Sequence, residues 1–346
     1  MNNRLIITGG AGFIGVNLVE MALSKGYKVL VIDKLTYAGN KESLNLKHKN
    51  LIFKKFDICN KHLMAKTIKE FKPNYIYNLA AESHVDKSID SPEIFIKTNI
   101  FGTFNIIECI RELSKHKTFK KNFKRFIQVS TDEVYGTATL KRPFTLETPY
   151  DPSSPYSSSK ASSDHLVKAW CKTYKLPFIV TNCSNNYGPY QFPEKLIPHI
   201  ILRAIERKKL PIYGDGLQKR DWIHVTNHVE GLIKAGERGT DGASYLFGSG
   251  IATTNLNLVK IICNELDKKI DSKNSFQLIN HVKDRPAHDR LYLIDPTKSI
   301  KDLNWKPDLK LKENISATID WYLDNKNWIS AVTKPSNYNL LRQGKN

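Results

Sequence analysis

Thr131, Asp132 and Glu133 stand in a row where an apolar run ends, in the stretch STDEVYG (130–136). Adjacent carboxylates repel, and in a dry site that repulsion pushes their pKa values apart, so one stays protonated while the other stays ionised. Such a pair can divide general-acid and general-base work between its two members. A second group follows in YSSSK, where Tyr156 and Lys160 stand one helical turn apart and face the same way. A cation beside a phenol favours the phenolate, which predicts a lowered pKa for Tyr156. Tyr156 is then a base for an alcohol or sugar hydroxyl as hydride leaves the same carbon. Thr131 could supply a hydroxyl to the reacting oxygen, and Lys160 could also hold a nicotinamide ribose.

A third group is the glycine loop TGGAGFIG (8–15). Gly9, Gly12 and Gly15 permit a tight turn and a close approach of the Phe13 and Ile14 backbone to a pyrophosphate at a helix N-terminus. The next apolar run ends in Asp33, 18 positions after Gly15. A carboxylate there accepts hydrogen bonds from an adenosine ribose and repels a 2′-phosphate, which favours NAD over NADP. Lys34 weakens that preference, since a cation tolerates the phosphate. Asp57, beside Ile58, ends a further run and could meet the adenine.

These groups need a scaffold that brings strand ends together. Short β-rich runs at 4–8, 27–33, 51–57, 75–80, 125–130 and 178–184 alternate with helical patterns at 12–25, 60–71, 94–115 and 156–174. Pro155 suits the start of the last of these helices. The alternation predicts an α/β fold, a Rossmann-type doubly wound parallel sheet with helices on both faces. After about residue 185 prolines punctuate shorter elements. The expected organisation is therefore a dinucleotide-binding domain over 1–184 and a smaller substrate-binding lobe over 185–346, partly interleaved with the sheet.

The bulk properties narrow the class. No apolar stretch approaches the roughly 20 residues of a membrane span, and the first run, LIIT, is too short for a signal segment. Five scattered cysteines form no CxxC pair and no Cys/His cluster, which argues against a disulfide framework or a zinc site and predicts no metal. A cytoplasmic protein is expected. The net charge of +19 is spread along the chain in lysines, as in KTFKKNFKR, and reads as a solvated surface rather than a nucleic-acid footprint.

Glycine loop, Thr131, Tyr156 and Lys160 together resemble the extended short-chain dehydrogenase/reductase family across most of the chain. Epimerases of that family typically carry small or hydroxylic residues after the strand-end hydroxyl. Asp132 and Glu133 instead resemble the nucleotide-sugar 4,6-dehydratases, especially those acting on dTDP-glucose. The resemblance implies that Asp132 is the acid and Glu133 the base. NLAAESHVDKSI (78–89) resembles the family's loop between nicotinamide and substrate, implying contacts from Leu79, Ala80, Ala81, Glu82 and Ser83. DKLTYAGN (33–40) resembles its adenosine-side loop, implying Asp33, Lys34, Leu35 and Thr36, with Thr98 also on the cofactor. NNYGPYQFPEKLIP (185–198) resembles its substrate-lobe entry, implying Asn185, Lys195 and Leu196 on the sugar nucleotide and Asn186 on the cofactor. LPIYGDG, RDW and DRPAHD resemble its nucleotide-diphosphate site, implying Pro211, Tyr213, Arg220, Arg285 and His288. A guanidinium fork matches phosphate oxygens and stays charged, which suits Arg220 and Arg285. His84 and His224 read as structural. SGIATTNLN departs from the family pattern, which puts Asn255 in doubt as a substrate contact, and the tail with Tyr338 matches only loosely.

The implied reaction is conversion of dTDP-glucose to its 4-keto-6-deoxy sugar: oxidation at C4, loss of water across C5–C6, and hydride return to C6, with NAD regenerated. The alternatives are the same dehydration on UDP-glucose, a 4-epimerase, and a non-catalytic NAD-binding regulator with a nucleic-acid partner. The last is disfavoured by the intact Thr131, Tyr156 and Lys160. The resemblance also implies a homodimer paired through the helices near 94–115 and 156–174.

Overall fold

The computed structural model describes residues 3–270, 274–284 and 289–334. Its strands are β1 (Arg4–Thr8), β2 (Lys28–Asp33), β3 (Leu51–Lys55), β4 (Tyr75–Asn78), β5 (Arg125–Thr131), β6 (Phe178–Cys183), β7 (Asn185–Tyr187), β8 (Leu210–Tyr213), β9 (Lys219–His224), β10 (Ser244–Phe247), β11 (Ala252–Thr254) and β12 (Ile279–Val282). Seven of them form one sheet in the order β10-β6-β5-β4-β1-β2-β3, with every neighbouring pair parallel. The sheet is a Rossmann-like doubly wound α/β sheet.

Parallel strands joined by crossover helices are buried on both faces, which is why β1 and β2 read as unbroken apolar runs. Alternate residues serve opposite faces. Leu5, Ile7, Val29 and Val31 join one core with the helices Phe13–Ser24 and Val225–Arg238. Ile6, Leu30, Ile32, Phe126 and Phe178 join another with the helices Lys61–Phe71 and Thr103–Leu113. The strand order reverses between β1 and β4, so the crossovers leave a crevice at the carboxyl ends of those strands. A polar ladder ties the strands beneath it. Thr8 Oγ1 donates to Asn78 Oδ1 at 2.6 Å, and Asn78 Nδ2 donates to Gln128 Oε1 at 2.8 Å.

The long helix Pro155–Tyr174 starts where its sequence says it should. Ser154 and Ser157 cap each other reciprocally and Pro155 takes the first turn, where its missing N–H costs nothing. The expected continuous helix over 94–115 is instead interrupted. Pro92–Phe95 runs into a π-helical stretch, Ile96–Gly102, before Thr103–Leu113. Its wide turn places Thr98 on the crevice and Asn99 behind it.

Beyond residue 185 the elements form a second group. The helices Leu196–Ile205, Asn255–Asp267 and Leu311–Asp324 bury a core of their own with Tyr187 and Trp222. Strand β10 nevertheless lies in the main sheet, at its edge beside β6. No helix among the described residues is long and apolar enough to cross a membrane.

Candidate active site

A cleft of about 320 Å³ opens at the carboxyl ends of β1, β4 and β5. It is lined by the glycine loop, by the turns after β2 and β4, by Thr131–Glu133, and by Tyr156 and Lys160. The size and placement are those of a ligand site at a topological switch point.

The glycine end is built for close approach. A Cβ on Gly15 would lie 2.2 Å from the Gly9 carbonyl oxygen, and one on Gly9 would lie 2.6 Å from the Ala80 nitrogen. Gly9 also holds φ +69°, a backbone that favours glycine. Gly12 caps the first helix with no side chain in the way, so the first-turn amides of Phe13, Ile14 and Gly15 face the cleft. That cradle fits a pyrophosphate. Asp33 is pinned from both sides, accepting from Ala11 N at 3.0 Å and Leu35 N at 2.8 Å. Burial raises its pKa. Lys34 is held within 3.5 Å of both Asp57 and Glu82 and 3.4 Å from Thr98 Oγ1. Its charge is already matched by two carboxylates, so among the described residues lining this end of the cleft three acids, Asp33, Asp57 and Glu82, outnumber the one paired cation, which disfavours a 2′-phosphate.

The other end carries the two adjacent carboxyls, the phenol and the lysine. Asp132 is buried, and burial holds its carboxyl well above the usual carboxylate range, with Glu133 and Asp221 reinforcing and Arg220 opposing. Its Oδ1 faces Thr131 Oγ1 at 3.4 Å, and its buried Oδ2 has no partner. A protonated acid with an unspent oxygen is a donor waiting for a ligand oxygen. Glu133 follows it on the short 3₁₀ turn Asp132–Tyr135 and lines the same wall, half-buried. The Thr131 hydroxyl accepts from Glu133 N at 3.2 Å, so strand end and turn are locked together.

The phenol of Tyr156 departs from expectation. Burial pushes its pKa well above the ordinary value, Glu133 and Cys183 add to that, and only a bond to Thr131 among the leading causes opposes it. The expected lowering by Lys160 fails because Lys160 is itself deeply buried. Its ammonium donates to the Val129 carbonyl at 2.7 Å, and burial lowers its own pKa.

At the mouth, Tyr37 Oη donates to Glu194 Oε1 at 3.0 Å, across 157 residues of sequence. His84 and Lys195 approach the same carboxylate at 3.5 and 3.9 Å, and Lys87 sits 3.3 Å over the Tyr37 ring. Deeper in, Asn185 Oδ1 and Ser184 Oγ are buried without partners, while Asn186 Oδ1 accepts from buried His228 at 2.9 Å.

The cleft thus gathers Gly9, Gly12, Phe13, Ile14, Gly15, Asp33, Lys34, Thr36, Asp57, Ile58, Leu79, Ala80, Ala81, Glu82, Ser83, Thr98, Thr131, Asp132, Glu133, Tyr156, Lys160, Asn185, Asn186 and Lys195. Leu35 is not on its wall: its side chain packs on the core and its N–H serves Asp33. Leu196 packs on the second core. Pro211, Tyr213 and Asn255 lie on β8 and at the start of the helix Asn255–Asp267, outside the lining. Arg220 is buried on β9, its guanidinium 4.2 Å over the Tyr292 ring and bonded to the Asp289 carbonyl at 2.9 Å. Arg285, His288 and Tyr338 fall outside the described residues. Sequence reasoning missed Glu194 and Gln191, both on the cleft wall within the quoted entry stretch, and Asn99, which clamps both N–H and C=O of Glu82. Among the described residues no cluster could hold a metal.

Comparison with known proteins agrees with this geometry. The family model described as GDP-mannose 4,6 dehydratase matches residues 6–318. A dTDP-glucose 4,6-dehydratase of Xanthomonas campestris pv. campestris (strain B100) is 46% identical, covering 98% of each chain. The crystal structure of a dTDP-glucose 4,6-dehydratase from Bacillus anthracis str. Ames in complex with NAD is 41% identical, with TM-score 0.85 over 95% of this chain and 99% of that one. A Streptomyces venezuelae dTDP-glucose 4,6-dehydratase, also solved with NAD, is 36% identical with TM-score 0.87 over the same shares. With two adjacent carboxyls, a strand-end threonine and a Tyr–Lys turn converging on one cleft, and with these relatives matched along nearly its whole length, the chain belongs to the dTDP-glucose 4,6-dehydratase family of nucleotide-sugar dehydratases.

Proposed function

We infer that the chain is an NAD-dependent hydro-lyase that converts dTDP-glucose to dTDP-4-keto-6-deoxyglucose. The observation that carries this is the placement of Asp132, in a buried position that favours its protonated form, beside Glu133 on the same wall as Tyr156 and Thr131. Bound NAD supplies a hydride acceptor at C4 and returns the hydride at C6, so it ends the cycle oxidised.

The chain's own groups divide the proton traffic. Tyr156 takes the O4 proton as the C4–H bond breaks, and Thr131 holds O4 by a hydrogen bond. Removing a proton from so buried a phenol needs positive charge nearby, and Lys160, one helical turn further on, is the chain's own source of it. With C4 a ketone, Glu133 takes the C5 proton, Asp132 protonates O6, and the C6–O6 bond breaks to release water. A proton then returns to C5. The sum is substrate minus one water, with no net oxidation. A 4-epimerase gives no work to the second carboxyl.

Residues 1–184 hold the cofactor on this reading, and residues 185–346 mainly hold the sugar nucleotide, β10 excepted. Buried, charged Arg220 and the Tyr213 region beyond the cleft suit the nucleotide end. The cation and the aromatic ring there match a diphosphate and a base. The chain works as a homodimer in the cytoplasm. Exposed Ile94, Ile96, Phe101 and Tyr174 on the two long helical segments supply the apolar face. Sedimentation of the purified protein tests the dimer, and cell fractionation tests the location.

The decisive experiment is turnover of dTDP-glucose deuterated at C4. The expected product is lighter than the substrate by one water and carries the label at C6. Label lost to solvent or retained at C4 refutes the circuit. Competition between dTDP-glucose and UDP-glucose in one vessel tests the base preference.

A further inference from the structure

Asp289 gathers hydroxyls from three places in the chain, and the reaction above gives it no work. Thr137 Oγ1 donates to its Oδ1 at 2.5 Å, and Ser153 Oγ and Tyr292 Oη each donate to its Oδ2 at 2.7 Å. Three donors on one side chain call for a group that only accepts, and these lengths are those of hydroxyls on an ionised carboxylate. The main chain of the same residue takes a further donor. Arg220 Nη2 donates to the Asp289 carbonyl at 2.9 Å, and the Arg220 guanidinium lies 4.2 Å over the Tyr292 ring. Burial works to raise the Asp289 pKa, yet the three hydroxyls and Arg220 hold it below the ordinary carboxylate value.

The three hydroxyls lead to the catalytic wall. Thr137 follows the turn Asp132–Tyr135 across Gly136, which holds φ +76° and where a Cβ would meet the Asp151 carbonyl oxygen at 2.6 Å. Asp151 N donates to the Val134 carbonyl at 2.9 Å, so the chain leaving that turn and the chain entering the next helix are held together. Ser153 precedes Ser154, whose capping box starts the helix that carries Tyr156. Tyr292 belongs to a segment laced to both sides. Ala138 N donates to the Leu291 carbonyl at 2.9 Å, and Tyr292 N donates to the Lys219 carbonyl of β9 at 3.2 Å. Asp289 itself is not among the residues lining the cleft. A carboxylate repels a diphosphate, so its place beside Arg220 is not that of a ligand contact.

We propose that Asp289 is a positioning residue that couples Arg220 to the catalytic wall: whatever fixes the Arg220 guanidinium also fixes, through Asp289 and Tyr292, the connectors that hold Glu133 and Tyr156 in place. The proposal rests on the nucleotide-end role given to Arg220 and on the catalytic roles given to Glu133 and Tyr156. Binding energy gained at the diphosphate is then spent on aligning groups that act at the sugar, which raises kcat rather than affinity.

The test compares Asp289→Ala, Arg220→Gln and the double variant in the NAD-loaded protein, reading kcat with saturating dTDP-glucose and the Kd of dTDP by calorimetry. D289A is expected to lower kcat by about ten- to a hundredfold, the range that a misplacement of about 1 Å produces. Its Kd for dTDP should stay within about threefold, since Arg220 keeps the main-chain carbonyl and the Tyr292 ring. R220Q is expected to weaken dTDP binding and to lower kcat. Because both changes cut one path, the double variant should lose little more kcat than the worse of the two single variants. Losses that multiply, a D289A enzyme with wild-type kcat, or a Kd that rises in step with the fall in kcat each overturn the coupling and leave Asp289 a local brace. R220Q with weaker binding and full kcat overturns it too. The underlying reading fails separately: R220Q that binds dTDP as tightly as wild type removes Arg220 from the nucleotide end and the proposal with it, whereas weaker binding in R220Q beside an unaffected D289A refutes only the coupling. If D289A does not fold, Tyr292→Phe cuts the same path at one hydroxyl and keeps the ring, with the same split expected between kcat and Kd. Wild-type kcat in Y292F, or an unfolded chain there as well, overturns the proposal.

Discussion

Replacing Asp132 by Asn separates the acid from the base. The amide keeps the size of the side chain and its place beside Thr131 but carries no transferable proton. General acid catalysis by a positioned group contributes about 10²–10⁴ in rate, or roughly 3–5 kcal/mol of barrier. The upper half of that range applies here. Asp132 is 2% exposed and its buried Oδ2 has no hydrogen-bond partner, so no neighbouring side chain is bonded there to stand in as the proton donor. Product formation should therefore fall by about 10³ or more. On the proposed mechanism, oxidation at C4 uses Tyr156, Thr131 and Lys160 and the C5 proton goes to Glu133, and the change leaves all four in place. In heavy water, D132N should then exchange the C5 hydrogen of dTDP-glucose for deuterium without eliminating water. The assay is mass and NMR analysis of recovered substrate beside product quantitation. Turnover within about tenfold of wild type, or loss of C5 exchange together with dehydration, refutes the division of labour.

Glu133→Gln should do the converse, abolishing C5 exchange as well as dehydration, read in the same heavy-water assay. Asp132 also sets a pH slope of stability. Its folded pKa is raised, so the folded state holds the extra proton, and wild-type stability falls as pH rises above the unfolded carboxylate value of about 4. D132N lacks that slope, and the gap in Tm between D132N and wild type should widen from pH 5 to pH 8. His228 works in the other direction. Burial lowers it from 6.5 to about 3, so stability is lost as pH falls below 6.5, by up to about 5 kcal/mol over the full window, and His228→Gln should flatten that acid limb in a melting series. Gly15→Ala forces a Cβ to within 2.2 Å of the Gly9 carbonyl. The first helix must retreat at a cost of about 1–3 kcal/mol, and the purified protein should carry markedly less NAD, measured by release and chromatography.

Local signals made the scaffold legible. Both faces of the sheet are covered, so the strands read as apolar runs, and the glycines, Asp33, Thr131 and the Tyr–Lys turn sit at element ends, where sequence spacing fixes position. Their convergence in one cleft follows from the strand order. What burial decides was not legible. The Tyr156 phenol was expected to be low and lies high, because no spacing rule reports that Lys160 is buried and turned onto the Val129 carbonyl. The π-helical stretch at Ile96–Gly102 carries no proline or glycine cue at its start, so a plain helix was expected. Tyr37 and Glu194 pair across a long sequence separation, and Arg220 and Tyr213 owe their places to β9 and β8, which are set by tertiary packing rather than by any local motif.

The Tyr37–Glu194 bond has a bearing on how the protein lives with its cofactor. It fastens the loop after β2 to the segment that enters the second group of elements, like a clasp across a purse. A catalytic cycle that restores its oxidant in place asks for passage of the sugar alone, so the clasp can stay closed through every turnover. The dinucleotide is then expected to stay in place from one turnover to the next. Dilution or gel filtration should leave activity intact without added NAD, whereas cutting the fastening with Tyr37→Phe should make the enzyme dependent on the concentration of NAD around it.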